Sequence, residues 1–246
     1  MLLRRFIGHV RGENWFAVAL DFVAVVVGIF IGFQLDRLYE AQRTRSGEES
    51  LMAALAEDFE LNRKDLQDAI DINALEVEAA LMLREEARKA QPELSVAELN
   101  QLVVTISRLP TFDVARSAYD NLTNTGDLAR LNNEALQRAL AEFYAQVKLV
   151  ELVQSAQELL YATVFQPYVM ENLDKAATTF MWSGDPEAAG RLEPLQYSDA
   201  ILDVLKTRTF QNVVAGEWEI ASDLKQLHEE LLEQVIRIEE MLGAGQ

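Results

Sequence analysis

The chain is expected to be all-α, one N-terminal transmembrane helix followed by an antiparallel helical bundle. Three observations lead there. Trp15 to Leu35 is an apolar run whose only charge is Asp21. Three long stretches beyond it repeat apolar residues at three- and four-residue spacing, the period of a helix with one buried face. No sustained run alternates apolar and polar β-branched residues, as a half-buried strand would.

The first element is the run NWFAVALDFVAVVVGIFIGFQLDRLYE. At ~1.5 Å per residue, residues 15–35 match a hydrocarbon core of ~30 Å. The run is longer than the ~7–15 apolar residues of a secretory signal, and no small-x-small cleavage site follows it, so an uncleaved anchor is expected. Residues 1–14 read as a basic amphipathic tail. Leu2, Leu3, Phe6, Ile7 and Val10 can share one helical face while Arg4, Arg5 and Arg11 project elsewhere, a pattern suited to membrane lipids with anionic headgroups. Arg37, Arg43 and Arg45 follow the span, so the count of positive charges is nearly balanced. A short basic tail normally stays inside, which places the N-terminus in the cytoplasm and residues 36–246 on the exported side.

Within the run, Gly28 and Gly32 form a small-xxx-small pair that lets another membrane helix approach closely, although glycine is frequent in such helices anyway. Asp21 has two readings. A carboxylate in hydrocarbon costs ~2.5 kcal/mol or more at the centre, which marks a partner-facing or proton-carrying group. Alternatively the apolar core begins at Phe22 and Asp21 lies among the headgroups. Gly28, Gly32 and Asp21 are the candidate helix-packing residues.

The exported part is read as one acidic bundle. Met52, Leu55, Phe59, Leu66, Ile70, Val77 and Leu81 form its first stripe, interrupted by Asn62 and Asn73, so this face is expected to be shared or partly wet. Pro92 stops that helix, and Ser95-Val96-Ala97-Glu98 is a capping-box pattern that starts the next. A short helix near Val114 to Leu122 is ended by Gly126 as a left-handed cap. Leu136, Leu140, Phe143, Val147 and Val150 make the next stripe. Pro167, Gly184, Pro186, Gly190 and Pro194 mark an irregular insertion around 166–197. Its Phe180, Met181 and Trp182 either pack onto the bundle or present an aromatic anchor to a partner. The last stripe runs Trp218, Ala221, Leu224, Leu227, Leu231, Val235, Ile238 and Leu242. These seams also suit intermolecular coiled-coil contact, which leaves self-association open.

Charge and composition narrow the chemistry. Residues 1–45 hold six Arg against four acids, a balance of +2; the remainder holds 16 Lys+Arg against 36 Asp+Glu, a balance of −20. Such a body repels phosphate backbones, so no nucleic-acid partner is expected. There is no cysteine, which removes disulfides, thiolate nucleophiles and thiolate-held metals. The two histidines, His9 and His228, cannot form a two-histidine zinc motif, and no metal or cofactor is expected. His228 is expected on a solvated helix face. Glu85-Glu86, Glu229-Glu230 and Glu239-Glu240 likewise read as solvated pairs rather than a catalytic acid and base. No calcium loop, phosphate-binding glycine loop or nucleophile elbow is present. No catalytic residue is expected.

Two stretches carry a resemblance. One runs from Asp21 through Phe33-Gln34-Leu35-Asp36-Arg37-Leu38-Tyr39-Glu40. The other runs from Ala118-Tyr119-Asp120-Asn121-Leu122 through Gly126-Asp127-Leu128, then Leu136 and Phe143-Tyr144. Their order and spacing resemble a family of uncharacterised bacterial single-pass inner-membrane proteins, a domain of unknown function with an N-terminal anchor and a helical extramembrane domain. The resemblance implies a bacterial inner-membrane protein with a helical extramembrane domain, and no catalytic residues. The expected role is a non-catalytic accessory or scaffolding subunit that meets the transmembrane helices of a larger complex, with a respiratory or photosynthetic assembly a natural host. The alternative is a tethered periplasmic ligand-binding, sensor or chaperone-like module.

Overall fold

The computed structural model describes residues 15–131, 133–178 and 198–243, and within them the side chains other than those of residues 15–21, 35–46, 48 and 130. The tail 1–14 lies outside the described residues. The chain divides into two compact units, Met1–Ala53 and Ala54–Gln246. Helix α1, Trp15–Arg88, contributes to both.

In the first unit, every described side chain from Phe22 to Gln34 is exposed. Phe22, Phe30 and Phe33 are each more than 60% exposed, and the valines and isoleucines between them face outward all round the helix. Among the described residues no helix is long and apolar enough to cross a membrane. The described side chains of the apolar run, residues 22–34, account for ~20 Å of helix rise.

The second unit is all-α; among its described residues there is no strand. After α1 come α2 (Val96–Thr105), α3 (Ser117–Thr125), a 3-10 turn (Asp127–Arg130) and α4 (Glu134–Leu160). A π-helical turn (Tyr161–Phe165) leads into α5 (Gln166–Asn172), and α6 (Ala200–Val204) precedes α7 (Arg208–Gly243). Local chemistry accounts for several boundaries. Ser95 caps α2: its side chain accepts from the Glu98 N–H at 3.3 Å, while the Glu98 carboxylate accepts from the Ser95 N–H at 2.8 Å. Gly126 ends α3 with φ 75°, a left-handed conformation that glycine adopts without steric cost. Pro167, which has no N–H, follows the π turn, where the Gln166 N–H reaches back five residues to the Tyr161 carbonyl. The expected irregular insertion is therefore helical in its first part, Gln166–Asn172, because proline is tolerated in a helix's first turn.

Three long helices form the core. Contacts fix their directions. Arg63 pairs with Glu239 at 3.2 Å, Asn73 with His228 at 3.1 Å, and Arg84 donates to the Gln211 carbonyl at 3.5 Å, so α7 runs antiparallel to α1. Gln146 meets Glu230, and Leu160 lies beside Gly216, so α7 is antiparallel to α4 as well. Helices α1 and α4 consequently run the same way, with the Phe59 and Phe143 rings 5.0 Å apart. The connection 89–133, carrying α2 and α3, brings the chain back between these two parallel helices. Near the C-terminal end of α1, Ala80 and Leu83 share a core with Leu99, Val103, Phe165, Ile201 and Phe210, so the short helices close that end.

Each long helix carries a buried series in alternating steps of four and three residues, widened by buried neighbours at Asp58, Ile70, Ala79, Tyr144 and Val213. On α1 it runs from Leu55 to Leu83 through Asn62, Asn73 and Glu76. On α4 it runs from Leu136 to Gln157. On α7 it runs from Phe210 to Leu242 through Glu217 and His228. This is knobs-into-holes spacing. It corrects the expected stripes at several points. Leu81 is exposed while Leu83 is buried; Trp218 is exposed while Glu217 takes the inward position. Asn62 and Asn73 are fully buried rather than partly wet.

Candidate functional site

Buried polar side chains on the seams fall into two groups. Those of the first group hold loops. Asn62 clamps the chain at Ala115, donating to its carbonyl at 2.9 Å and accepting from its N–H at 2.7 Å. Asp58 accepts from the Ala118 N–H at 2.8 Å and from the Ser117 hydroxyl at 3.1 Å. It thereby caps α3, whose own N-cap residue, Arg116, supplies no side-chain cap. Glu86 accepts from the N–H groups of Glu93 and Leu94 and from Lys89 at 2.6 Å, and these hydrogen bonds hold its carboxyl below the usual carboxylate range. Each of these groups satisfies backbone that would otherwise be unpaired.

The second group belongs to no loop. Asn73 donates to Glu76 Oε2 at 2.9 Å, which leaves its carbonyl oxygen to accept from His228 Nδ1 at 3.1 Å. That assigns the imidazole proton to Nδ1 and an unprotonated Nε2. Burial lowers the His228 pKa to about 4, so the ring is neutral near pH 7. Phe112 lies against it, ring centroids 6.2 Å apart. Neither His228 Nε2 nor Glu76 Oε1 has a hydrogen-bond partner. Burial pushes Glu76 up to about 8; the Asn73 hydrogen bond pulls it down, the Glu217 carboxyl pushes it up and the Arg108 guanidinium pulls it down. Burial alone pushes Glu217 up to about 8. Two carboxyls that keep their protons and one imidazole that stays neutral thus occupy the bundle seam.

An open groove of about 390 Å³ adjoins this region. Leu160 and Val164 form one wall. Arg208, Asn212 and Gly216 with Thr209, Val213 and Glu217 form the other. Among the described residues no three His, Asp or Glu side chains converge to hold a metal ion.

The structure treats the candidate residues unevenly. A side chain added at Gly28 or Gly32 would meet nothing within 4 Å, so both present open helix surface. The side chain of Asp21 and the residues Phe180, Met181 and Trp182 lie outside those described. His228 is not solvated: it is fully buried, because its spacing from Leu224 and Leu231 places it on the seam of α7. Glu86 is buried too, drawn in by the loop N–H groups it binds, while its neighbour Glu85 stays exposed with Glu229, Glu230 and Glu240. Glu76 and Glu217 were not singled out by sequence. The signal was there: each sits at a four-then-three step from apolar neighbours on both sides. No protein-family model, curated protein or solved structure matches the chain.

Proposed function

We propose that the chain is a non-catalytic accessory or scaffolding subunit, held in a bacterial inner membrane by residues 15–35 and carrying its acidic bundle in the periplasm. The observation that carries this reading is the apolar surface of residues 22–34, exposed on every side of α1. A helix apolar all round is stable only when lipid or other protein surrounds it. Gly28 and Gly32 offer the groove through which a neighbouring transmembrane helix would pack. The bundle adds a second contact surface: Leu149, Leu152 and Leu159 stay exposed on α4 at three- and seven-residue steps. A respiratory or photosynthetic assembly would suit such a subunit as host, and the resemblance to single-pass inner-membrane proteins agrees with it.

A periplasmic reporter fused after Gln246 is expected to be active in cells, and a cytoplasm-only reporter there silent. The reverse pattern would overturn the orientation. Gly28→Leu with Gly32→Leu is expected to leave the protein in the membrane fraction with its bundle folded, but to reduce co-purification with its host about tenfold or more, since ~1–2 kcal/mol of helix packing is lost. Quantitative mass spectrometry after native purification reads this directly. Wild-type recovery would move the docking surface to the bundle.

A tethered ligand-binding module is the second reading. The groove between α4 and α7, with a buried carboxyl in its wall, favours it.

A further inference from the structure

We propose that the groove between the end of α4 and the start of α7 binds a linear ω-amino carboxylate, with its ammonium at Glu217 and its carboxylate at Arg208. The inference goes beyond the anchoring role and stands whether or not the chain docks on a host.

Two rows of α7 build one side of the groove, Arg208–Asn212–Gly216 and Thr209–Val213–Glu217, each in steps of four that keep the side chains on one face. Leu160 and Val164 face them across the groove. Gly216 leaves it open: a Cβ there would stand 3.7 Å from Leu160 Cδ2, so any larger side chain would fill the space. The volume, about 390 Å³, lies at the lower end of the ~300–1,000 Å³ of small-molecule sites. Arg208 and Glu217 are separated by ~13.5 Å of helix rise, with Val213, Leu160 and Val164 supplying the apolar middle.

The two ends differ in charge and burial. Arg208 is exposed at the mouth, where it can meet a carboxylate. Glu217 lines the groove yet is only 4% exposed. A carboxyl so largely buried is costly to ionise, and an ammonium delivered along the groove would offset that cost. The charged groups acting on this neighbourhood are Glu76 and Arg108 beyond the seam and Arg208 on the same helix. A purely apolar ligand would leave both ends unmatched, and a simple anion would face the Glu217 carboxyl.

Binding is coupled to a proton. Glu217 is protonated near pH 7, so an arriving ammonium converts the carboxylic acid to a carboxylate and one proton passes to solvent. Full-length protein in lipid nanodiscs, titrated calorimetrically with aminohexanoate and aminooctanoate in two buffers of different ionisation enthalpy, tests this. The expected result is saturable binding at one site with close to one proton released at pH 7, falling towards none at pH 9. Hexylamine and hexanoate are expected to bind about tenfold more weakly or worse. Glu217→Gln and Arg208→Gln should each weaken the amino carboxylate about tenfold or more, and Gly216→Leu should abolish binding, with helical content unchanged in all three. No saturable binding of either amino carboxylate overturns the proposal, as does undiminished affinity in Glu217→Gln. An alkylamine that binds as tightly as the amino carboxylate overturns the Arg208 half of the assignment.

Discussion

Replacing Glu76 and Glu217 together by glutamine is expected to raise the stability of the bundle at pH 8–9 by several kcal/mol and to flatten its dependence on pH. Both carboxyls titrate at about 8 in the folded chain against 4.5 for the free group. Between those values the folded state binds more protons than the unfolded one, so stability falls as pH rises through the window. His228 acts in the opposite sense. Its folded value of about 4 lies below the 6.5 of the free ring, so stability rises with pH between 4 and 6.5. Two carboxyls outweigh one imidazole, and above 6.5 they act alone. The wild-type chain should therefore be most stable in mild acid and weaken towards pH 8. Urea unfolding of wild type and double variant, followed by circular dichroism between pH 5 and pH 9, measures both slopes. A wild-type chain that gains stability from pH 6.5 to pH 8 would refute the assignment.

The second large effect is expected at Asn62. Asn62→Ala removes a donor and an acceptor at once: the half-buried Ala115 loses the partner of its N–H, and its C=O keeps only the Tyr144 hydroxyl at 3.4 Å. A buried unpaired group costs ~1–3 kcal/mol, so a loss of about 1–3 kcal/mol is expected, less if water enters the vacated space. The neighbouring Asp58 contact to α3 should loosen with it, because both clamp residues 115–118 to α1. Hydrogen exchange at Ala115 and Ala118 would report that local release separately from global unfolding. Unchanged protection there, with unchanged stability, would mean that Asn62 does not hold this loop.

Glu76, Glu217 and Asn62 are polar residues on otherwise apolar seams, the positions least legible in the sequence. The alternation of three- and four-residue steps suffices for the helical class and the core stripe from Leu136 to Val150, while the capping box at Ser95 and the left-handed cap at Gly126 follow from residue type. A stripe traced through apolar residues alone drifts off the seam wherever a polar residue occupies it. At Trp218 and Leu81 it followed hydrophobicity to the flank and passed over Glu217 and Leu83. His228 and Glu86 were assigned to solvent on residue type, although their spacing is that of buried positions.

The amino-acid order alone settles that the bundle is helical, where several of its helices begin and end, and that the chain carries an apolar run beside an acidic body. These follow from local geometry: side-chain period, caps and turn residues act over a few neighbours. Tertiary structure decides which polar groups are buried, with whom, and in which charge state. Asn73 meets His228 across 155 positions of sequence, and Asn62 meets Ala115 across 53. A buried carboxyl or imidazole persists only where another helix excludes water and supplies or withholds a partner, and no local pattern encodes what that distant helix will present.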